Sequence, residues 1–382
     1  HRSGKKSNWH RGKHDGLKRI PMVTARLNAY LSAKAISVAF AIAGFLLITF
    51  SPALKAENSA SVASILSAWT AKDVAVIVND NDQLSVQITK YYQAKRKIPP
   101  AQIIHVRFKS GLPSLSLEKF NAIKKQVDAQ TPGHVQGYVL TWLLPFRVDC
   151  MSITTAFAAG FNQAFCANEC KETRHNPYFN SISQRPFDDF GWRPTMVLAA
   201  KSFTEAKQLI DRGIAADYSR PKGSAYLLKT TDAARSSRAI FFPEVAKKFN
   251  NAFPTQYLEK NFIENKQDVM FYFTGVMHVQ KIKRNTYLPG AIADHLTSTG
   301  GVLIGGNQMS VLEWMDAGAT GSYGTVVEPC NFPNKFSNPG VLMNYYLKGN
   351  SLIEAYWKSV AEPGQGIFVG EPLAKPFAKP NQ

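Results

Sequence analysis

Asp268-Val-Met-Phe-Tyr-Phe273 runs into Thr274-Gly275 and then His278. Gly301-Val-Leu-Ile304 runs into Gly305-Gly306-Asn307, and Thr320-Gly-Ser-Tyr-Gly-Thr-Val-Val327 runs into Glu328-Pro329-Cys330. These three apolar runs, each closed by small or reactive residues, predict three buried strands. Amphipathic helices between such strands are the signature of an α/β protein with a mainly parallel sheet flanked by helices. In those sheets ligands bind outside the carboxyl ends of the strands. The stretch therefore says where a site belongs, and leaves open what the site takes.

Upstream the same grammar repeats. Val74-Ala-Val-Ile-Val78 predicts a strand, followed by the turn Asn79-Asp-Asn-Asp82 and a helix capped by Ser85. Ile103–Phe108 and Val135–Leu144 predict two more strands, with a helix over 117–129 between them and Pro145 and Arg147 after the second. The stretch 151–189 is rich in Phe, Asn, Ser and Pro and reads as an insertion, at about 150–190, that caps one end. Strands follow at 194–200 and 224–228, with helices at 205–217 and 243–253. Helices are expected at 289–296 and 311–317 between the three opening strands, then at 339–348 and 352–360, before a last strand at 367–369. Residues 57–377 are thus expected to form a single α/β domain, with 378–382 as a loose tail.

The charge comes from the front of the chain. The whole carries +18 over 382 residues. Residues 1–56 hold ten Lys and Arg against one Asp, so +9 of the total lies there. The remainder is spread without a basic block, which argues against nucleic-acid binding. Arg26 and Lys34 precede the apolar run Ala35–Phe50, and Ser51–Ala56 offers small residues at its exit. That is the pattern of a secretory signal over 22–56, preceded by an upstream extension over 1–21. The run is shorter than the ~20 residues a spanning helix needs, so retention as an inner-membrane anchor is the alternative. The expected location is periplasmic or extracellular.

Export makes disulfides the first reading of Cys150, Cys166, Cys170 and Cys330. Four cysteines allow three pairings, and 166–170 with 150–330 is the favoured one. The rival is a metal site using Cys166, Cys170 and His175, a weak zinc spacing; no metal and no cofactor is the expectation. A Walker loop, a dinucleotide fingerprint, Gly-x-Ser-x-Gly and His-Glu-x-x-His are all absent from the sequence.

Several of these residues also carry a resemblance. Asn79–Asp82 with Ser85 and Tyr91-Tyr92, Asn176-Pro-Tyr-Phe-Asn180, Pro289–Leu296, Gly318–Cys330 and Gly370-Glu-Pro-Leu373 together resemble an uncharacterised family of exported bacterial α/β proteins. The match covers nearly all of 70–377 and implies no activity. More distantly, the C-terminal half is similar to the gingipain-type cysteine peptidases, which implies a caspase-like sheet there. That family has a His after one strand, near His278 here, and a nucleophilic Cys after the next. Where the nucleophile is expected, after Gly301–Ile304, this chain has Gly305-Gly-Asn-Gln-Met309.

The candidate catalytic residues are therefore Cys330 as nucleophile, His278 or His295 as its base, and Glu328 as a general acid or base. Asn79, Asp80, Asn81, Arg147, Thr274, Gly275 and Asn307 are candidate ligand contacts at strand ends. Two functions compete. One is binding of an unknown ligand or envelope partner in a strand-end cleft on a degenerate peptidase-like scaffold. The other is hydrolysis using Cys330, Glu328 or Asp80.

Overall fold

A computed structural model describes residues 68–167 and 170–380. The expected signal segment and its upstream extension lie outside the described residues. No helix among the described residues is long and apolar enough to cross a membrane.

In chain order the elements are β1 (Val74–Asn79), α1 (Gln83–Arg96), β2 (Ile103–Val106), β3 (Ser114–Leu115), α2 (Leu117–Gln130), β4 (Gly137–Leu140), β5 (Arg147–Val148), β6 (Met151–Ser152), α3 (Ile153–Ala159), α4 (Pro186–Phe190), β7 (Thr195–Val197), α5 (Phe203–Ala216), β8 (Ser224–Lys229), α6 (Phe242–Phe249), β9 (Thr255–Glu259), β10 (Val269–Gly275), β11 (Tyr287–Leu296), α7 (Leu312–Ala317), β12 (Gly321–Thr325), α8 (Pro339–Leu347), α9 (Leu352–Ser359) and β13 (Gly366–Gly370).

Ten strands form one sheet in the order β2-β1-β4-β7-β13-β12-β11-β10-β8-β9. Every pairing in it is parallel except β12 with β13. This is the α/β fold with a mainly parallel sheet that the sequence predicts. β1, β4, β7, β10, β12 and β13 are buried at every position, as central strands covered on both faces must be. Helices α1, α5 and α7 cover one face, and α2, α3, α6, α8 and α9 the other. Tyr272 meets Trp314 of α7 on the first face, whereas Phe271 meets Tyr346 of α8 and Phe368 stacks on Trp357 of α9 on the second. The alternation along β10 thus sends aromatic rings into both layers.

Local chemistry sets the helix starts. Asp82, not Ser85, caps α1: its carboxylate accepts from the backbone N–H groups of Leu84 and Ser85. Ser85 is buried instead, its hydroxyl 2.8 Å from that of Thr141, which ties α1 to the loop after β4. Ser202 caps α5, its hydroxyl accepting from the Glu205 N–H. Ser351 and Glu354 form a capping box on α9.

Two assignments of elements are corrected. Residues 289–296 are strand, not helix. Their Ala-rich composition suggests a helix, but the segment is filled into the sheet between β10 and β12 and is buried from Gly290 onward. Gly301–Ile304 is not a strand. Gly301 crosses so close to Gly324 that a Cβ on it would stand 2.5 Å from the Gly324 carbonyl oxygen, and a strand with side chains has no room there. The edge strand β9 is an addition, as is a small sheet of order β3-β5-β6. Within 150–190, α3 packs on β7 and β13. Asn176 there donates to the carbonyls of Trp357 and Val360 at 2.8 and 3.0 Å.

Candidate functional site

β8, β10, β11 and β12 run parallel to one another, so their carboxyl ends share one rim. Loops 230–238, 276–281, 297–310 and 326–338 meet there, beyond β8, β10, β11 and β12. The Thr230 hydroxyl donates to the Gly275 carbonyl at 2.6 Å, the Met309 N–H to the Met277 carbonyl at 3.2 Å, and the Asn331 side chain to the Ala234 carbonyl at 3.2 Å.

His295 lies in this region but below the surface, in register with Thr274. It is 1% exposed. The Trp314 indole N–H donates to its Nδ1 at 3.0 Å, so its Nε2 carries the proton and donates to the Met309 carbonyl at 3.1 Å. Burial lowers its pKa to about 3, against the pull of the Met309 carbonyl. A neutral imidazole with both nitrogens occupied has no lone pair to offer a nucleophile. It is not a helix-face histidine, and it is not placed as a base. His278 is exposed in the loop after β10.

Cys330 is bonded to Cys170 and Cys150 to Cys166, with Cα separations of 5.5 and 5.3 Å. This corrects the expected pairing. Cys166 and Cys170 are close in sequence but face different partners, so the short Cys166-to-Cys170 segment staples the loop after β5 at one end and the loop after β12 at the other. No free cysteine remains. Cys330 therefore offers no thiolate, and neither it nor a zinc site built on Cys166, Cys170 and His175 can operate in this state. Among the described residues no group of three or more His, Cys, Asp and Glu could hold a metal ion. Glu328 is exposed beside the bridge, and its Oε1 accepts from the Cys330 N–H at 2.8 Å.

The ligand candidates divide. Asn79 is completely buried. Its Nδ2 donates to the Phe108 carbonyl and its Oδ1 accepts from the N–H groups of Asn81 and Phe108, so it joins β1 to β2 and contacts no solvent. Asn81 and Asn307 are exposed. Asp80 is partly exposed and holds the His105 Nδ1 at 2.7 Å and the Arg107 Nε at 3.4 Å. The His105 hydrogen bond, with Arg107 assisting, keeps its carboxyl below the usual range. Thr274 is 1% exposed and its hydroxyl has no partner among the described residues. Gly275 passes under the Arg235 backbone, where a Cβ would stand 1.8 Å from the Arg235 carbonyl oxygen; its role is close packing. Arg147 lies in β5, partly exposed.

These residues do not converge. β1 and β10 are six places apart in the sheet, which separates Asp80 from Thr274 by about 29 Å at ~4.8 Å per strand. There are two groups of residues here, one in each half of the sheet.

The sequence reading passed over the polar network that organises the β10–β12 half. Arg235 Nε donates to the Thr297 hydroxyl at 2.9 Å, and its Nη1 to Asp232 at 2.9 Å. The Thr297 hydroxyl and the Thr299 N–H both donate to Gln308 Oε1 at 2.8 Å. Beneath them, Arg238 and Asp294 approach to 2.6 Å with both side chains almost wholly buried. Arg238 also donates to Ser337 and to the Thr274 carbonyl, and the Ser337 hydroxyl donates to Asp294 at 2.6 Å. Burial pushes the Asp294 carboxyl up, and the guanidinium opposes it. The signal was present: Asp294 falls inside an otherwise apolar run, and a lone acid in a central strand requires a partner.

No protein-family model matches the chain, and no curated protein matches it. Among solved structures it is similar to a complex of the Porphyromonas gingivalis RgpB pro- and mature domains, at 11% identity over 79% of each chain with a TM-score of 0.43. It is also similar to a structure described as a protease, at 10% identity over 81% of this chain and 79% of that one with a TM-score of 0.40.

Proposed function

We propose that this chain is an exported protein that binds a ligand or an envelope partner at the strand-end rim and performs no thiol chemistry there. The scaffold, in this reading, is that of a peptidase that lacks its nucleophile. The observation that carries the proposal is the state of Cys330: it is bridged to Cys170, while the buried His295 is held neutral with both nitrogens occupied. What remains at the β10–β12 rim are groups suited to recognition, namely Arg235, exposed His278, Asn307 and Glu328. Two disulfides support export, since such bonds persist in oxidising compartments.

The test is an amide-resolved NMR screen of sugars, short peptides and envelope fractions, run beside a general peptidase and esterase assay. Binding confined to loops 230–238, 276–281, 297–310 and 326–338 with no turnover is the expected result. Turnover abolished by iodoacetamide without prior reduction would overturn it.

A second reading rests on the other half of the sheet. The Asp80 carboxylate on His105 Nδ1 leaves the exposed Nε2 of that ring free to act as a base in hydrolysis. Turnover that survives alkylation and disappears in Asp80→Asn would favour it.

A further inference from the structure

Two strands bound the large sheet, β2 at one end and β9 at the other. An edge strand carries main-chain donors and acceptors that face away from the sheet. At β2 these groups are partly spent: the Ile103 N–H donates to the Pro100 carbonyl, and the His105 carbonyl accepts from the Gln126 side chain at 2.9 Å. At β9 they are open. The Ala225 N–H of β8 donates to the Pro254 carbonyl at 2.8 Å, with Ala225 opposite Thr255. In a parallel ladder successive residues of a strand bond to opposite sides, so the main chain of Gln256 and Leu258 faces β8. Tyr257 and Glu259 turn their N–H and C=O groups outward, and among the described residues nothing bonds to those groups.

A trough of about 520 Å³ lies beside this edge, on the face of β9 that the Gln256 and Leu258 side chains share. Segment 260–266 forms its other wall. Leu258, half-buried Phe262 and buried Ile263 make the trough apolar, while Lys260 and Lys266 make it positive. The acids nearby are already engaged, Glu259 with Lys229 at 3.2 Å and Glu264 with Arg284 at 2.8 Å. Lys260 and Lys266 enter no ion pair among the described residues.

We infer that β9 is a docking edge for an extended acidic segment of a partner protein, which joins the sheet as a further strand. The main chain of that segment bonds to the N–H and C=O groups of Tyr257 and Glu259, and its alternate side chains enter the trough. There carboxylates meet Lys260 and Lys266, and apolar groups meet Leu258 and Phe262. A second copy of this chain fits worse. Pairing β9 with itself about Leu258 crowds the lysines of both copies onto one face of the joined sheet. The site uses none of the β10–β12 rim residues and does not depend on the reading given above for them.

The probe is a fluorescein-labelled, capped peptide of alternating Val and Glu, read by anisotropy, with amide exchange followed on the whole chain. Saturable binding is expected, and exchange of the Tyr257 and Glu259 amides should slow at least about tenfold, as for amides that gain a bond. A peptide of alternating Val and Lys should not bind. Tyr257→Pro removes an outward donor and no ladder bond, because an edge strand accepts Pro where its N–H faces away from the sheet. It should weaken the acidic peptide about tenfold relative to Tyr257→Thr, which keeps that donor. Lys260→Glu combined with Lys266→Glu should reverse the preference between the two peptides. Absence of saturable binding, equal binding of both peptides, unchanged exchange of the two amides, or equal affinity in Tyr257→Pro and Tyr257→Thr would each overturn the inference. So would a concentration-dependent dimer in sedimentation that Tyr257→Pro dissolves, which gives the edge to a second copy.

Discussion

The Trp314 indole N–H donates to His295 Nδ1 at 3.0 Å, and this one bond fixes the tautomer of a fully buried imidazole. The proton stays on Nε2, facing the Met309 carbonyl.

Acid should therefore destabilise the protein earlier than its carboxylates require. The pKa of His295 falls from 6.5 to about 3 in the fold. A folded-state value below the unfolded one means that the unfolded chain binds the extra proton. The contribution is complete above about pH 6.5 and is lost as pH falls from there toward 3. Between pH 6 and 5 the slope from one such proton approaches about 1.4 kcal/mol per pH unit. Urea melts across this range should show it. His295→Gln, which can accept from Trp314 and donate to Met309 without titrating, should flatten it.

Disulfide removal should be unequal. The Cys170–Cys330 bridge closes 160 residues and Cys150–Cys166 closes 16. Loop-closure entropy assigns roughly 5 kcal/mol to the first and roughly 3 to the second. Cys330→Ser should lower the urea midpoint more than Cys150→Ser, and intact-mass analysis after alkylation without reductant should find no modified cysteine in the wild type.

Asp294→Ala leaves the Arg238 guanidinium buried without its counter-charge. The expected cost is about 3–5 kcal/mol. Arg238→Met combined with Asp294→Leu should recover most of it, and a double-mutant cycle by chemical denaturation measures the coupling.

Gly275→Ala places a methyl group 1.8 Å from the Arg235 carbonyl oxygen, so the loop after β8 has to move. A loss on the order of 3 kcal/mol is expected, as for severe overpacking. Amide exchange should show opening in 230–238 before the rest of the sheet.

The sheet was legible because central parallel strands are written as unbroken apolar runs, as at Val74–Val78 and Val269–Phe273. Segment 287–296 was not, because Ala, Gly and Pro carry little β signal and only its neighbours make it a strand. The rim was legible as a place, since strand ends follow from strand assignments. Which residues meet there was not: the Arg235–Thr297 contact spans 62 positions, and nothing local to either residue announces the other. The cysteine pairing failed for the same reason. Proximity in sequence favoured joining Cys166 to Cys170, whereas the fold brings Cys170 to a loop 160 residues away.

Strand β13 stands between β7 and β12, and within the sheet nothing else joins the group β2-β1-β4-β7 to the group β12-β11-β10-β8-β9. It is also the last of the ten strands in chain order. Until Gly366–Gly370 emerges, each half-sheet keeps an open edge of unpaired amides, and a chain stopped short of that point carries two surfaces ready to join with the wrong neighbour. Maturation thus waits on a single late keystone that closes both edges at once.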